Sequence, residues 1–238
     1  MVAVVTGANR GLGEALALRL ASHYGATVGL GVRAAATAAS IAALPPWCDL
    51  KTFGLHLDYR DHQVIAAAAQ ECARRISQLD VLINCGAIYA VESLPRSASR
   101  GPLDELMPSA LEDMLATNVV GPVVTCQKFL PLLARSDSPL IINISSWVGS
   151  IETASSRSFG YGVSKAALNM ATKRIAMERP GGCTAVLVDP GWVRTRMGGP
   201  DATSEPADAA AQVLSLVLTR RRELNGKFLT ADGRELPW

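Results

Sequence analysis

The strongest constraint on this chain is the recurrence of short, apolar, β-forming runs separated by longer helical patterns. Strands are predicted at VAVVT (2–6), ATVGLGV (26–32), LKTFGLHL (50–57), DVLIN (80–84), LIINIS (140–145), TAVLVD (184–189) and KFLTA (227–231). Several of these runs are continuously apolar rather than alternating, as expected for parallel strands covered by helices on both faces. Helical patterns lie between them at 12–22, 34–43, 61–77, 109–134, 160–178 and 205–221. The βαβα order predicts one doubly wound α/β domain over residues 1–238, with a parallel seven-stranded sheet and helices on both faces. The Ala-rich stretch 34–43 reads as a crossover helix, because Ala is the best helix former and a crossover is required there. Segments 88–108 and 190–206, punctuated by Pro and Gly, read as irregular, and connections of that length inside a compact domain are usually functional or mobile.

A hydrophobic share of 49% over 238 residues supplies one sizeable core without calling for a second domain. The formal charge of +2 argues against a nucleic-acid partner, and the basic run TRRRE at 219–223 reads as a solvated helix end. Cys48, Cys72, Cys85, Cys126 and Cys183 are scattered, with no CxxC pair, so neither a disulfide nor a metal site is expected. His23, His56 and His62 lack ligand spacing and read as structural. The chain opens directly on MVAVVTG, and no apolar stretch reaches membrane-spanning length, so a soluble, cytoplasmic protein is expected.

The first strand runs into TGANRGLG, which places Gly7, Gly11 and Gly13 in the turn that opens the first helix. Glycine lets the backbone reach positive φ and approach a ligand closely, while the helix N-terminus offers unpaired N–H groups to a pyrophosphate. Such a turn also occurs with no ligand; its place between a first strand and an amphipathic helix favours a nucleotide and a Rossmann-type domain.

Tyr161 and Lys165 lie four apart in YGVSKAALNMA and so project from one helix face. A free phenol has a pKa near ~10, and a neighbouring ammonium is expected to pull it down, making Tyr161 a general acid or base. INISSWVG places Ser145 and Ser146 at the carboxyl end of the fifth strand, where a hydroxyl can donate to a substrate carbonyl. Asn118 is a polar amide inside the apolar run ATNVVGP, and Pro122 beyond it predicts a kinked helix with freed backbone groups that could bind water. Each of these residues alone also has a bland reading, as a surface pair, a strand end or a cap. Together, in this order on one βαβ chain, they point to catalysis.

These residues resemble the motifs of the short-chain dehydrogenase/reductase family, and the similarity runs from Val2 to Trp238. TGANRGLG resembles the family's phosphate loop, which implies that Asn9, Arg10 and Leu12 join Gly7, Gly11 and Gly13 at the cofactor. Asn118, Ser146, Tyr161 and Lys165 resemble its catalytic tetrad; Ser146 is matched in preference to Ser145 because two residues separate it from Gly149. Asp58 resembles the aspartate that contacts adenine. PGWVRT resembles the segment in which Thr195 and the Val193 backbone meet the nicotinamide carboxamide, bringing in Pro190 and Gly191. The usual NNAG after the fourth strand reads Asn84-Cys85-Gly86-Ala87 here, so the turn beside the adenine ribose is expected to form with Asn84 and Gly86 but without the second Asn. PGWVRTRMGG and the ending DGRELPW are most similar to the carbonyl-reductase branch that contains the C-factor and sniffer-like proteins.

The resemblance implies reduction of a ketone or aldehyde with NADP(H), with Tyr161 giving its proton to the new alkoxide. Imine reduction, epimerisation, dehydration or a non-catalytic cofactor-binding role are the alternatives. NADP(H) is expected over NAD(H) because the second strand ends in Arg33, no Asp or Glu occurs from Ala15 to Pro46, and Arg10 lies inside the Gly loop. Two guanidiniums would grip a 2′-phosphate, where an acidic residue would hold a free 2′-hydroxyl. Tyr89, Trp147 and Trp192, with Ser146, predict a bulky apolar substrate pocket, or else core packing for one or more of the rings. Helices 109–134 and 160–178 have apolar surfaces wide enough to pair subunits as a homodimer or homotetramer.

Overall fold

In the computed structural model, all residues are described except 91–93, 95–100, 157, 179–181 and 220. Part of the predicted irregular segment 88–108 and the side chains of the TRRRE arginines lie outside the described residues. Seven strands, β1 (Val2–Thr6), β2 (Thr27–Val32), β3 (Thr52–His56), β4 (Val81–Asn84), β5 (Leu140–Ile144), β6 (Thr184–Asp189) and β7 (Phe228–Thr230), form one sheet. All six neighbouring pairs are parallel, in the order β3-β2-β1-β4-β5-β6-β7. That is the doubly wound arrangement, with its switch point between β1 and β4, where such sheets leave a crevice at their carboxyl ends.

The continuously apolar runs have the expected cause. Ala3 and Val5 pack on one face of the sheet with Leu16 and Leu20 of α1 (Gly11–Ser22), while Val4 packs on the other with Ile65 of α3 (His62–Arg75). Successive side chains point to opposite faces, and both faces are covered. Helix α2 (Ala35–Ser40) crosses from β2 to β3.

The long helical pattern at 109–134 is two α-helices, α4 (Pro108–Leu115) and α5 (Gly121–Leu133), joined by a π-helical turn at Ala116–Val120. The kink expected from Pro122 coincides with this π turn, since Pro122, in the first turn of α5, brings no N–H to the continuing helix. Helix α6 (Phe159–Glu178) follows a 3₁₀ turn at Trp147–Gly149, and α7 (Pro206–Thr219) packs with α1. Segment 190–206 is less irregular than its composition implies, because a bridge joins Val193 to Ser204 and Arg194 N donates to Ser204 O at 2.8 Å. No helix among the described residues is long and apolar enough to cross a membrane.

Candidate active site

The site assembles along the carboxyl edge of the sheet. At the end of β1, Gly7 has φ of 69°, and Gly13 lies so close to it that a Cβ on Gly13 would fall 2.3 Å from the Gly7 oxygen. Only glycine permits that approach, which brings the start of α1, with Gly11 and the buried Leu12, down onto the strand. Arg10 is the residue before the helix, and its side chain makes no capping bond, so the first-turn N–H groups receive no side-chain acceptor. Asn9 and Arg10 are exposed. Ala8 N donates to Gly31 O at 3.1 Å, tying this loop to the end of β2 and setting exposed Arg33 on the same rim. These features fit a dinucleotide with a charged group near the two arginines.

Asp58, half-buried just after β3, caps its own turn by accepting from Arg60 N at 3.0 Å. Its neighbour Tyr59 is the hub of a buried polar network that no local sequence pattern singles out. The Tyr59 hydroxyl pairs with Thr6 Oγ1 at 2.6 Å and donates to Asn84 Oδ1 at 2.8 Å, and burial pushes its pKa well up. Asn84 Nδ2 reaches Asn143 Oδ1 at 2.8 Å, and Asn143 Nδ2 donates to Thr172 Oγ1 at 2.7 Å. Asn84 stands at the start of the turn after β4 with its amide facing inward, 2% exposed. The turn beyond it is held by Thr6, whose Oγ1 accepts from Cys85 N at 2.9 Å and Gly86 N at 3.2 Å. Gly86 packs against Tyr59 and Gly7, and the Cys85 thiol is pushed up to about 12 by burial.

The four catalytic candidates occupy the centre of this edge. Asn118 is 1% exposed in the π turn, and its side chain is fully engaged: Oδ1 accepts from Ile88 N at 2.8 Å, and Nδ2 donates to Ile88 O at 2.8 Å and to Ser164 Oγ at 3.0 Å. It thus clamps the chain after β4 to α6. Ser145 is turned inward, its hydroxyl donating to Asn169 Oδ1 at 2.6 Å, which leaves half-buried Ser146 as the serine at the crevice. On α6, Lys165 is 2% exposed, and its Nζ donates to Ile144 O at 2.8 Å while lying 5.5 Å from the Tyr161 ring centroid. Burial lowers Lys165 to about 8, partly offset by Cys85 and Asp189.

The expectation that Lys165 draws the Tyr161 phenol down is not met. Burial first, then the charge of Asp189 and the presence of Tyr89, push it above its ordinary value. Asp189, at the end of β6, is a further site residue; the only sequence signal for it was a carboxylate ending an apolar strand just before Pro190-Gly191. It is 6% exposed, and its carboxylate accepts from Gly191 N at 3.1 Å and from the Trp147 N–H.

Beyond Pro190, the Thr195 methyl would lie 3.1 Å from a Cβ on Gly11, so the segment carrying Val193 and Thr195 closes over the Gly loop. The three aromatic candidates do not fill the core. Trp147 is 48% and Trp192 53% exposed, with Trp192 Nε1 donating to Gly198 O at 2.8 Å. Tyr89 packs edge-on to Tyr161 at 4.8 Å, and its hydroxyl is hydrogen-bonded to Ser158. Among the described residues, no group of three or more His, Cys, Asp or Glu side chains could hold a metal ion.

Comparison with known proteins places the chain by family and fold. The profile of the short chain dehydrogenase family matches residues 1–206. Short-chain dehydrogenase RED3 of Pyricularia oryzae is 32% identical over 252 residues, covering 99% of this chain and 97% of its own. Among solved structures, the carbonyl reductase Sniffer of D. melanogaster superposes with a TM-score of 0.86 at 26% identity, covering 100% of this chain and 98% of its own. The NADPH-bound carbonyl reductase from chicken fatty liver does so with a TM-score of 0.85 at 28% identity, again covering 100% and 98%. With the family profile matching most of its length and full-length relatives at about one-third identity, the chain is a member of the short-chain dehydrogenases.

Proposed function

We propose that this oxidoreductase reduces a ketone or aldehyde to an alcohol with NADPH. The observation that supports this reading is the buried Lys165 amine 5.5 Å from the Tyr161 ring, on the helix against which the turn after Ser146 packs through Gly149, together with a glycine turn at an uncapped helix start. The carbonyl reductases among the structural neighbours support it, one of them crystallised with NADPH. A bound nicotinamide would supply the hydride for the carbonyl carbon. Ser146 and Tyr161 would donate to the carbonyl oxygen, and Tyr161 would release its proton to that oxygen as the C–H bond forms. A phenol held protonated by burial suits this direction. Lys165 would hold the nicotinamide ribose. The Asn118 side chain is saturated, so holding a relay water falls to its main-chain carbonyl.

Gly7, Asn9, Gly11, Leu12 and Gly13 would cradle the pyrophosphate, Arg10 and Arg33 the 2′-phosphate, Asp58 and Gly86 the adenosine, and Val193 and Thr195 the carboxamide. Exposed Trp147 and Trp192, with Tyr89, support a bulky apolar substrate. Five free thiols suit a reducing cytoplasm, and Val163, Met170 and Met177, exposed at seven-residue spacing on α6, support self-association. A panel of aldehydes and ketones followed by NADPH absorbance tests the reaction. Tyr161→Phe should abolish turnover while leaving NADPH binding within about twofold; undiminished turnover by that variant would sink the reading.

A further inference from the structure

Among the described residues the Tyr161 phenol makes no hydrogen bond, so its aim is set by what its ring touches. That ring meets the Lys165 Nζ, 5.5 Å from its centroid, and the ring of Tyr89, edge-on at 4.8 Å between centroids. Lys165 rides on the same helix, whereas Tyr89 comes from the chain after β4. Tyr89 is itself held from two sides. The Asn118 side chain clamps its neighbour Ile88, accepting from Ile88 N and donating to Ile88 O, both at 2.8 Å. The Tyr89 hydroxyl is hydrogen-bonded to Ser158 Oγ. Ser158 immediately precedes α6, is 8% exposed, and with φ of 56° is the one non-glycine residue among those described that is left-handed. Such a backbone costs free energy and persists where the surroundings hold it. A serine in that place ordinarily turns its hydroxyl onto the first N–H groups of the helix; here it meets a tyrosine 69 residues away in the chain.

These contacts close a circuit around Tyr161. Asn118 Nδ2 donates to Ser164 Oγ at 3.0 Å, and Ser164 Oγ donates to the Tyr161 main-chain oxygen at 2.8 Å. One arm of the circuit therefore holds the Tyr161 backbone, and the other, through Ile88 and Tyr89, holds its ring. Both arms start from the one buried Asn118 amide. An aromatic ring suits the second arm, because it is rigid and offers the edge-to-face contact that an aliphatic chain of similar volume lacks. We propose that Tyr89 is a positioning residue for Tyr161: anchored by Asn118 through Ile88 and by Ser158 at the entry to α6, its ring keeps the phenol in the orientation that proton transfer needs. The consequence for turnover rests on the reductase reading; the packing does not.

The test compares, in the full chain, Tyr89→Leu, which removes the ring, with Tyr89→Phe, which keeps the ring and frees Ser158. Single-turnover reduction of a ketone at saturating NADPH isolates the chemical step from product release. Tyr89→Leu should slow that step by about 10- to 100-fold, the cost of a misdirected proton donor, while half-saturation by ketone and by NADPH moves less than about twofold. Tyr89→Phe should restore the rate to within about threefold of the wild type. Ser158→Ala should match Tyr89→Phe, and the double variant should be no slower than either, because both break the same bond. That pair carries the test should Tyr89→Leu fail to fold, and additive losses in it overturn the proposal. Crystal structures give a reading without turnover: the Tyr161 side chain should leave its wild-type rotamer in Tyr89→Leu and keep it in Tyr89→Phe. An unmoved Tyr161 in Tyr89→Leu overturns the proposal whatever the rates. So does an unchanged chemical rate in that variant, whether with weaker ketone binding, which would make Tyr89 a substrate wall only, or with a lower melting temperature, which would make it merely structural. If the wild type reduces no carbonyl in the panel but Tyr161 still moves in the Tyr89→Leu crystal, the reductase reading alone fails.

Discussion

Lys165 stands with its Nζ 5.5 Å from the centroid of the Tyr161 ring, and it spends a proton on the Ile144 carbonyl 2.8 Å away instead of on the phenol. The pair is therefore set by the helix but poised by the strands beneath it. Being 2% exposed, the amine has its charge disfavoured, and its pKa falls to about 8.

That depression makes a pH prediction. The folded value lies below the unfolded one, so between about pH 8 and 10.5 the unfolded chain holds a proton that the folded chain has released. The penalty of the buried charge is fully present below about 8 and is relieved as pH rises toward 10.5. Lys165→Met should accordingly gain stability relative to the wild type by on the order of 2 kcal/mol at pH 7 compared with pH 10.5. Urea denaturation of both cofactor-free proteins at the two pH values measures this, and a gap independent of pH would contradict it.

Thr6 is 1% exposed, and its hydroxyl serves Tyr59, Cys85 N and Gly86 N together. Thr6→Val keeps the shape but strands the Cys85 and Gly86 N–H groups and removes the donor to the Tyr59 oxygen, so the chain should lose about 1–3 kcal/mol and melt about 2–10 °C lower. NADPH affinity, read by fluorescence titration, should weaken in step because the turn after β4 loosens. An unchanged melting temperature would show that water replaces the hydroxyl at no cost.

Gly13→Ala places a methyl carbon 2.3 Å from the Gly7 carbonyl oxygen. Neither atom is the end of a flexible side chain, so α1 must lift from β1. A loss of about 3 kcal/mol or more, or of soluble protein, is expected, with NADPH binding lost in whatever folds. Wild-type NADPH affinity in this variant would mean that the turn does not cradle the cofactor.

Arg10 and Arg33 lie exposed on one rim, and neither has an ion-pair partner among the described residues. If they grip a 2′-phosphate, each contributes about 1.5–3 kcal/mol, and the double Arg10→Ala/Arg33→Ala variant should lose its preference for NADPH over NADH by at least about 100-fold in kcat/KM. The ratio measured in both proteins decides it. A wild type that prefers NADH, or a double variant that keeps its preference, rules the assignment out.

The sheet and its crossovers were legible because parallel strands covered on both faces read as near-continuous apolar runs, and the VAVV of β1, the LII of β5 and the AVLV of β6 are such runs. The glycine turn and the Tyr161–Lys165 spacing were legible for the same local reason: a single turn of chain sets their geometry. Three features were not. The motif places Asn84 at the turn after β4, but its amide is taken up by Tyr59 and Asn143, 25 and 59 residues away. Asn118 looked like a kink partner, whereas the π turn makes it a clamp between Ile88 and Ser164. Asp189 looked like a strand end, and only the pairing of β6 with β5 sets it beside Lys165 and under Trp147. The sequence by itself determined which elements form and which chemistry-bearing residues they carry, because apolar periodicity, glycine conformations and helix spacing act over a few residues. Tertiary structure decided which polar groups are spent on one another and which face the crevice, and therefore the protonation of Tyr161, because hydrogen-bond partners and burial depend on strands brought together from distant parts of the chain.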